Sequence, residues 1–413
     1  MFPRREIDSS YAWFRLAVSV LLSAIGGVGM WSVVVALPAV QAEFGSARGA
    51  ASLPFTLTMI GFGLGGVVMG KLADRKGIVL PLLIGAASLG AGYVLASLSG
   101  GLVSFAAASM LSGTFGSAAT FAPLMADISF WFEKRRGIAV ALCASGNYVS
   151  GALWPTVIQS LIAAHGWRTA HLAVGLFCLL TIPPLALLLR GRSPVRAAGT
   201  PVPAASPHRV ALRPDVLFGL LLVAGLACCV AMSMPQVHIV AYCGDLGYGS
   251  ARGAQMLSLM LGFGIISRIG SGFLADRLGG VATLAIGSFA QMVALVLYLT
   301  MDSLTSLYVI SALFGLFQGG LVPSYAMIVR ESFPAKQAGE RVGLILMMTL
   351  LGMALGGWMS GAIYDLTGSY RAAFANGVAW NGLNFLIALF LLFRSPLILP
   401  RLATARRARS AAV

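Results

Sequence analysis

Charge is scarce in this chain. Only 10% of its 413 residues are Asp, Glu, Lys or Arg, while 58% are hydrophobic and the mean hydropathy is +0.88. Soluble domains carry about 25% charged residues, so a single water-soluble core is excluded. Acids are scarcer than bases, 13 against 28. Lysine is scarcest, with Lys71, Lys76, Lys134 and Lys336 the only four. This Arg-, Ala- and Gly-heavy usage suggests a GC-rich bacterial genome. The five cysteines (Cys143, Cys178, Cys228, Cys229, Cys243) lie in or beside apolar runs without metal-ligand spacing. They read as small packing residues, neither a disulfide framework nor a metal site. No long alternating segments occur, which excludes a membrane barrel. No Gly-x-x-x-x-Gly-Lys-Ser/Thr loop occurs either, so ATP does not drive this protein. Nucleophile–base pairs and metal clusters are missing as well, so neither an enzyme nor a cofactor is expected.

Long apolar runs are present throughout. Twelve exceed or approach the ~20 residues that cross a bilayer as a helix. They cover residues 13–38, 51–72, 78–98, 102–130, 137–163, 169–189, 215–241, 253–275, 281–300, 304–329, 342–364 and 372–393. The first is too long for a cleaved signal peptide and reads as helix 1. The expected fold is therefore all-α: twelve transmembrane helices in two pseudo-symmetric six-helix bundles. One bundle would cover 1–189 and the other 214–395. Between them runs the Arg- and Pro-rich connection 190–213, and a basic tail follows at 396–413. Neither polar stretch has much to bury.

The net charge of +15 would suggest nucleic acid in a soluble protein, but here charge follows topology. If both termini face the cytoplasm, only Arg48, Arg168, Arg252 and Arg371 fall outside and only Arg268 falls within a helix. Every other Lys and Arg lies inside, as the positive-inside rule requires. The expected partners are the lipid bilayer, a small organic anion and a coupling proton. The expected location is a bacterial inner membrane, and the expected state is monomeric.

The two halves repeat one another. Gly70-Lys71-Leu72-Ala73-Asp74-Arg75-Lys76-Gly77 returns as Gly272-Phe273-Leu274-Ala275-Asp276-Arg277-Leu278-Gly279. Arg135-Arg136-Gly137 is echoed by Glu340-Arg341-Val342-Gly343, and Gly166-Trp167-Arg168 by Gly368-Ser369-Tyr370-Arg371. The offsets are 202 for Asp74, 205 for Arg136 and 203 for Arg168. Duplicated halves that meet across a membrane commonly enclose a central substrate path. Glycines cluster in helix 2 (Gly61, Gly65, Gly66, Gly70) and helix 11 (Gly352, Gly356, Gly357, Gly361). Such spacing allows close helix approach, either as packing inside one half or as a sliding contact between halves.

Twelve helices, a long central connection and the repeated Gly-x-Leu-Ala-Asp-Arg-x-Gly resemble the major facilitator superfamily over essentially the whole chain. A narrower resemblance is to the monocarboxylate transporter family and its bacterial relatives, including oxalate/formate-type exchangers. It rests on three stretches. They are Asp8-Ser9-Ser10-Tyr11-Ala12-Trp13 before helix 1, Trp131 to Ala139 and Ala144-Ser145-Gly146 entering helix 5, and His238 to Gly247 at the helix 7–8 loop. The resemblance implies alternating-access transport, with Arg268 matching the substrate-binding Arg of helix 8. Two departures stand out. Gly264 replaces an Asp one turn before that Arg, and helix 1 lacks the family's late Lys, which falls near Trp31. Helix 11 also lacks the Lys of oxalate-type exchangers.

Arg268 is the leading candidate on physical grounds as well. A guanidinium at membrane depth is costly and must face a wet seam or a partner. It stays charged and fits a carboxylate with two hydrogen bonds. Gly264 and Gly272, one turn to either side, would keep its face open. The structural alternative pairs it with a backbone carbonyl or with Asp127. One fixed positive charge favours a monoanion over a dicarboxylate. Asn147, Tyr148, Gln318, Tyr325, Asn381 and Asn384 are polar groups that either line the path or join helices. His238 is a candidate for proton coupling, or else an interfacial hydrogen-bonding His. Asp74 and Asp276, with Arg75 and Arg277, are expected to gate the path. Asp74 would face the start of helix 11 (Glu340, Arg341) and Asp276 the start of helix 5 (Arg135, Arg136), where a carboxylate is favoured by free N–H groups. The function expected is secondary transport of small monocarboxylates, coupled to protons. A drug/proton antiporter or an anion exchanger of the same fold is the alternative, and helix 5 lacks the Gly-Pro-rich antiporter pattern.

Overall fold

In lipid a backbone must satisfy its own polar groups, so apolar runs of this length fold as helices. The computed structural model describes residues 7–191, 210 and 212–395, and it holds ten helices long and apolar enough to cross a membrane. Most of the connection 190–213 and all of the tail 396–413 lie outside the described residues. Among the described residues no strand occurs.

Two of the ten helices are too long to be single spans. Arg136–Leu188 has 53 residues and Ser250–Thr300 has 51. At about 1.5 Å per residue each would run more than twice the ~30 Å hydrocarbon layer. Each is broken at a non-helical glycine, Gly166 (φ 79°, ψ 161°) and Gly279 (φ 82°, ψ 165°). Dividing there gives twelve segments. We label them α1 (Ser10–Phe44), α2 (Arg48–Lys76), α3 (Val79–Ser97), α4 (Leu102–Trp131), α5 (136–165), α6 (167–188), α7 (Pro214–Asp245), α8 (250–278), α9 (280–300), α10 (Leu304–Ser332), α11 (Ala335–Thr367) and α12 (Tyr370–Phe393).

The sequence repeat is also a repeat of backbone geometry. Gly77 ends α2 at φ 82°, ψ 169°, nearly the angles of Gly279 at the end of α8. That region of conformational space is essentially closed to residues with a Cβ, so the last glycine of each motif copy is dictated by its turn. The breaks inside helices are paired too. Pro123 and Pro323 stand 200 residues apart, and α4 and α10 are interrupted just before them, at residues 120–121 and 319–320. Proline removes the hydrogen bond to the carbonyl four residues earlier. Irregular backbone at membrane depth is tolerated where protein or a cavity surrounds it.

The glycine clusters divide between both expected roles. A Cβ on Gly61 or Gly65 would strike Thr114 of α4, and one on Gly352 or Gly356 would strike Leu226 or Val230 of α7. Those four pack inside their own halves. A Cβ on Gly357 would meet Phe55, and one on Gly361 would meet the backbone of Arg48 and Gly49, across the seam. The two main crossings between halves are α2 with α11 and α5 with α8.

The two signature stretches at the start of the chain and before α5 form one unit. Asp8, at φ 58°, accepts the backbone N–H groups of Glu133 (3.3 Å) and Lys134 (3.1 Å). Its own N–H donates to Trp131 O at 3.0 Å, and Trp13 packs edge-on against Phe132. Large exposed apolar side chains such as Leu180 (74%), Phe273 (69%) and Leu386 (63%) face outward, as a lipid-embedded perimeter requires.

Candidate functional site

Two ends of the bundle differ in charge. One carries Arg75, Lys76, Lys134, Arg135, Arg277 and Arg330, and is called here the basic end. The opposite end holds Arg48, Arg168, Arg252 and Arg371.

Arg268 sits half-buried in the seam where α8 meets α5. Its Nε reaches Gly319 O and its Nη1 reaches Ala144 O, both at a long 3.5 Å, and its guanidinium lies 4.9 Å from the Tyr148 ring centroid. Gly319 O is available for a local reason. Its helical donor would be residue 323, a proline without an N–H. Arg268 therefore touches a half-helix break on its own side and a helix of the other half. It contacts no acid among the described residues. A guanidinium has five N–H donors, so two long carbonyl contacts leave most of its capacity unused.

Asp127, the alternative partner considered from sequence, is committed elsewhere. It takes Arg15 with both oxygens, Nε–Oδ2 2.7 Å and Nη2–Oδ1 2.8 Å. The expectation for the flanking glycines also needs correcting. Gly272 is open, but Gly264 is covered, because a Cβ there would stand 2.4 Å from the Tyr148 ring. Glycine at 264 is what lets Tyr148 lie beneath Arg268.

Ala144, Asn147, Tyr148 and Gly151 follow the i, i+3, i+4, i+7 spacing of one helical face. That face of α5 looks toward α1 and α8: Gly151 abuts Trp31 and Leu261, and Asn147 abuts Gly27. Asn147 makes no side-chain hydrogen bond among the described residues. Trp31 is 3% exposed with an unpartnered indole N–H, and Ser150 has a buried unpartnered hydroxyl. Trp31 therefore faces protein and not lipid. Sequence reading did not single out Ser150; its only signal was its place one turn after Asn147.

Gln318 is fully buried beside the Arg268 contact. It accepts from Gln236 Nε2 at 2.7 Å, and its own Nε2 is unpartnered. Tyr325 and Asn384 are placed differently. Tyr325 donates to Asn384 Oδ1 at 2.8 Å, and Asn384 and Asn381 donate to Ser288 Oγ and O, each at 2.7 Å. These buried bonds tie α10, α12 and α9 within the second half. They are interhelical links, and the structure does not bring them to Arg268.

The structure holds its halves together at the end away from the basic one. Arg48, 9% exposed, grips Asp245 with Nη1 and Nη2 at 3.1 Å each and donates Nη1 to Tyr370 at 2.8 Å. Asp365 accepts the backbone N–H groups of Arg48 and Gly49, each at 2.7 Å, and so caps the N-terminus of α2 from α11. Anions are favoured at such a terminus. His238 belongs to the same cluster. Its Nε2 lies 2.8 Å from Gly357 O and its Nδ1 3.0 Å from Tyr370 Oη. A carbonyl only accepts, so Nε2 carries the hydrogen and Nδ1 accepts from Tyr370. Further ties at this end join Thr56 to Ala354 O at 3.0 Å and Gln159 to Ser250 at 2.9 Å. The charged clasp was not foreseen. Its sequence signal was that Arg48 is among the few cations of that end and Asp245 lies in a signature stretch.

At the basic end the expected gate is unengaged. Asp74, Arg75, Asp276 and Arg277 are exposed, and no salt bridge of theirs occurs among the described residues. Arg341 instead lies over Phe333 (4.1 Å) and Phe218 (4.8 Å). Arg136 is half-buried at the start of α5. The structure does not bring Asp74 to Arg341 or Asp276 to Arg136. Among the described residues, the charged ties between the halves lie at the end away from the basic one.

Comparison with known proteins follows the same outline. The profile of the Major Facilitator Superfamily matches residues 19–306 and 283–412. The chain is 28% identical over 362 residues to monocarboxylate transporter 13 of Bos taurus, covering 85% of this chain and 82% of that one. The crystal structure of a bacterial homologue of the human lysosomal transporter Spinster superposes with TM-score 0.69 at 16% identity, over 94% of this chain and 97% of that one. The fucose:proton symporter of E. coli superposes with TM-score 0.64 at 14% identity, over 93% and 99%.

Proposed function

The chain belongs to the Major Facilitator Superfamily, and from that premise we propose that it carries small organic monocarboxylates, coupled to protons, by alternating access. Secondary transport is the family's activity. The observation that supports the substrate class is Arg268, a half-buried guanidinium between the halves with two long carbonyl contacts and no acid among the described residues. A carboxylate supplies what those contacts leave unmet, a bidentate, charge-assisted partner. Tyr148 below it, Asn147 and the free N–H of Trp31 offer further polar contacts. A lone unpaired cation is a poor host for the cationic drugs of an antiporter. The resemblance to a monocarboxylate transporter points the same way.

The basic end takes the cytoplasmic position, because cytoplasmic loops carry the Lys and Arg excess. The clasped end is then external. His238 carries the coupling proton. When neutral it accepts from Tyr370; when protonated at Nδ1 it turns that hydroxyl round and adds a positive charge near Arg48. The groups that face it are Arg48 of α2, Asp245 of its own helix, Asp365 of α11 and Tyr370 of α12. Protonation thus opposes the clasp, and opening from outside follows. Asp74 and Asp276 close the inner end in the alternate state.

The test is uptake into proteoliposomes of labelled formate, lactate, pyruvate and a larger aromatic acid, with and without a pH gradient. At least one acid should accumulate, and Arg268→Gln should reduce that uptake more than a hundredfold without loss of folded protein. Wild-type uptake by Arg268→Gln, or transport only of uncharged solutes, would overturn the reading.

A further inference from the structure

Arg48 does more in this structure than a latch needs. Asp245 uses only the two terminal nitrogens of its guanidinium, and Nε is buried without a partner among the described residues. A carboxylate can also bind a guanidinium side-on, through Nε and one terminal nitrogen. Next to Arg48 is an open cleft of about 360 Å³, bordered by Arg48, Asp245, Gln41 and Ser46 between the α1–α2 turn and the end of α7. Ser46 Oγ is likewise buried without a partner. Ligand pockets begin at about 300 Å³, so the volume suits a small acid. Every anion already bound around Arg48 is a carboxylate of the chain itself. Asp245 holds the side chain, and Asp365 holds the backbone N–H groups of residues 48 and 49.

We propose that this cleft is a vestibule site for a small carboxylate, which binds Arg48 side-on, displaces Asp245 and so loosens the clasp that keeps the outer end shut. The inference rests on the monocarboxylate reading above. The acid substitutes for an internal carboxylate, so the guanidinium is never left bare, and the tie between α2 and α7 is the one released. Asp365 continues to hold the α2 terminus until the acid moves inward. The substrate thereby biases the gate through its greater affinity for the unclasped form, as any population shift requires.

The two roles of Arg48 predict opposite signs. If Arg48 is only a latch, Arg48→Gln populates the outward-open form and lowers KM for acid added outside. If it is a binding group, the same variant raises that KM. The expected result is at least a tenfold rise outside, with KM at the basic end changed less than twofold. A fall in the outside KM, or an equal rise on both sides, would overturn the proposal. Should Arg48→Gln fail to fold, Arg48→Lys keeps the charge and loses the side-on fork, and is read by the same sign. A second readout needs no transport. Hydrogen exchange at amides 241–246 of the purified protein should quicken with acetate, against chloride at equal ionic strength, and should not respond in the Arg48 variant. Unchanged exchange in the wild type would show an inert cleft. If no monocarboxylate is carried, the function above fails in the uptake assay while this exchange response is still read on its own.

Discussion

Arg15 and Asp127 meet through two parallel bonds, at 2.7 and 2.8 Å, where residue 15 has no exposed surface. Arg15 also donates to Leu189 O at 2.9 Å and lies 4.7 Å from the Trp131 ring. One side chain thus joins α1, α4 and the end of α6. Asp127 is thereby committed within the first half, and Arg268 has no acid partner among the described residues.

Removing one partner of a buried pair typically costs about 3–5 kcal/mol, because the other charge stays buried. Asp127→Asn should therefore lower the melting temperature in detergent markedly. Arg15→Lys should do so too, since an ammonium lacks the planar fork. An unchanged melting temperature in both variants would count against the pair as a structural tie.

Gly361→Leu should act on conformation. A Cβ there would sit 2.8 Å from Arg48 O and Gly49 Cα, which are backbone atoms with little room to yield. The clasped end should fail to close, transport should fall at least tenfold, and Ser52→Cys, now fully buried, should become reactive to an impermeant thiol reagent from that side. Gly65→Leu meets Thr114 O within its own half and should instead reduce stability. Overpacking of this kind costs about 1–3 kcal/mol.

Asp276→Asn and Asp74→Asn should leave the clasped form undisturbed, since both carboxylates are exposed in it. Melting temperature and substrate affinity should change little. Turnover should fall several-fold, because the partners Arg136 and Arg341 are met only in the opposite state. Wild-type turnover with unaltered access of a cytoplasmic probe would remove these residues from the gate.

His238→Gln keeps a side chain able to hydrogen-bond but not to take up a proton. In the wild type, protonation of His238 sets a positive charge near Arg48 and favours opening, so uptake should rise as external pH falls. The variant should transport with a flat pH profile. A variant that keeps the wild-type slope would place the coupling proton elsewhere.

Much of the fold was legible from one-dimensional pattern. Run length gave the spans because the bilayer sets a helix length. The repeated motif was readable because its closing glycines, Gly77 and Gly279, need angles that other residues avoid. Arg268 could be singled out because a cation at membrane depth is conspicuous in any register. Partner choice was not legible. Asp127 and Arg15 are 112 residues apart, and Asp365 and Gly49 are 316 apart. Neither pairing has a local signature. Polar residues at membrane depth looked alike in sequence, yet the Asn147 side chain makes no hydrogen bond among the described residues while Tyr325 and Asn384 are bonded to each other.

The sequence alone determined that this chain is a duplicated bundle of membrane helices with most of its cations at one end, since hydropathy, helix rise and glycine angles act residue by residue. Only the tertiary structure decided which end is shut, which acids are already taken and which guanidinium is left wanting. Those depend on how two rigid halves lean against each other, and that contact is made between residues hundreds of positions apart.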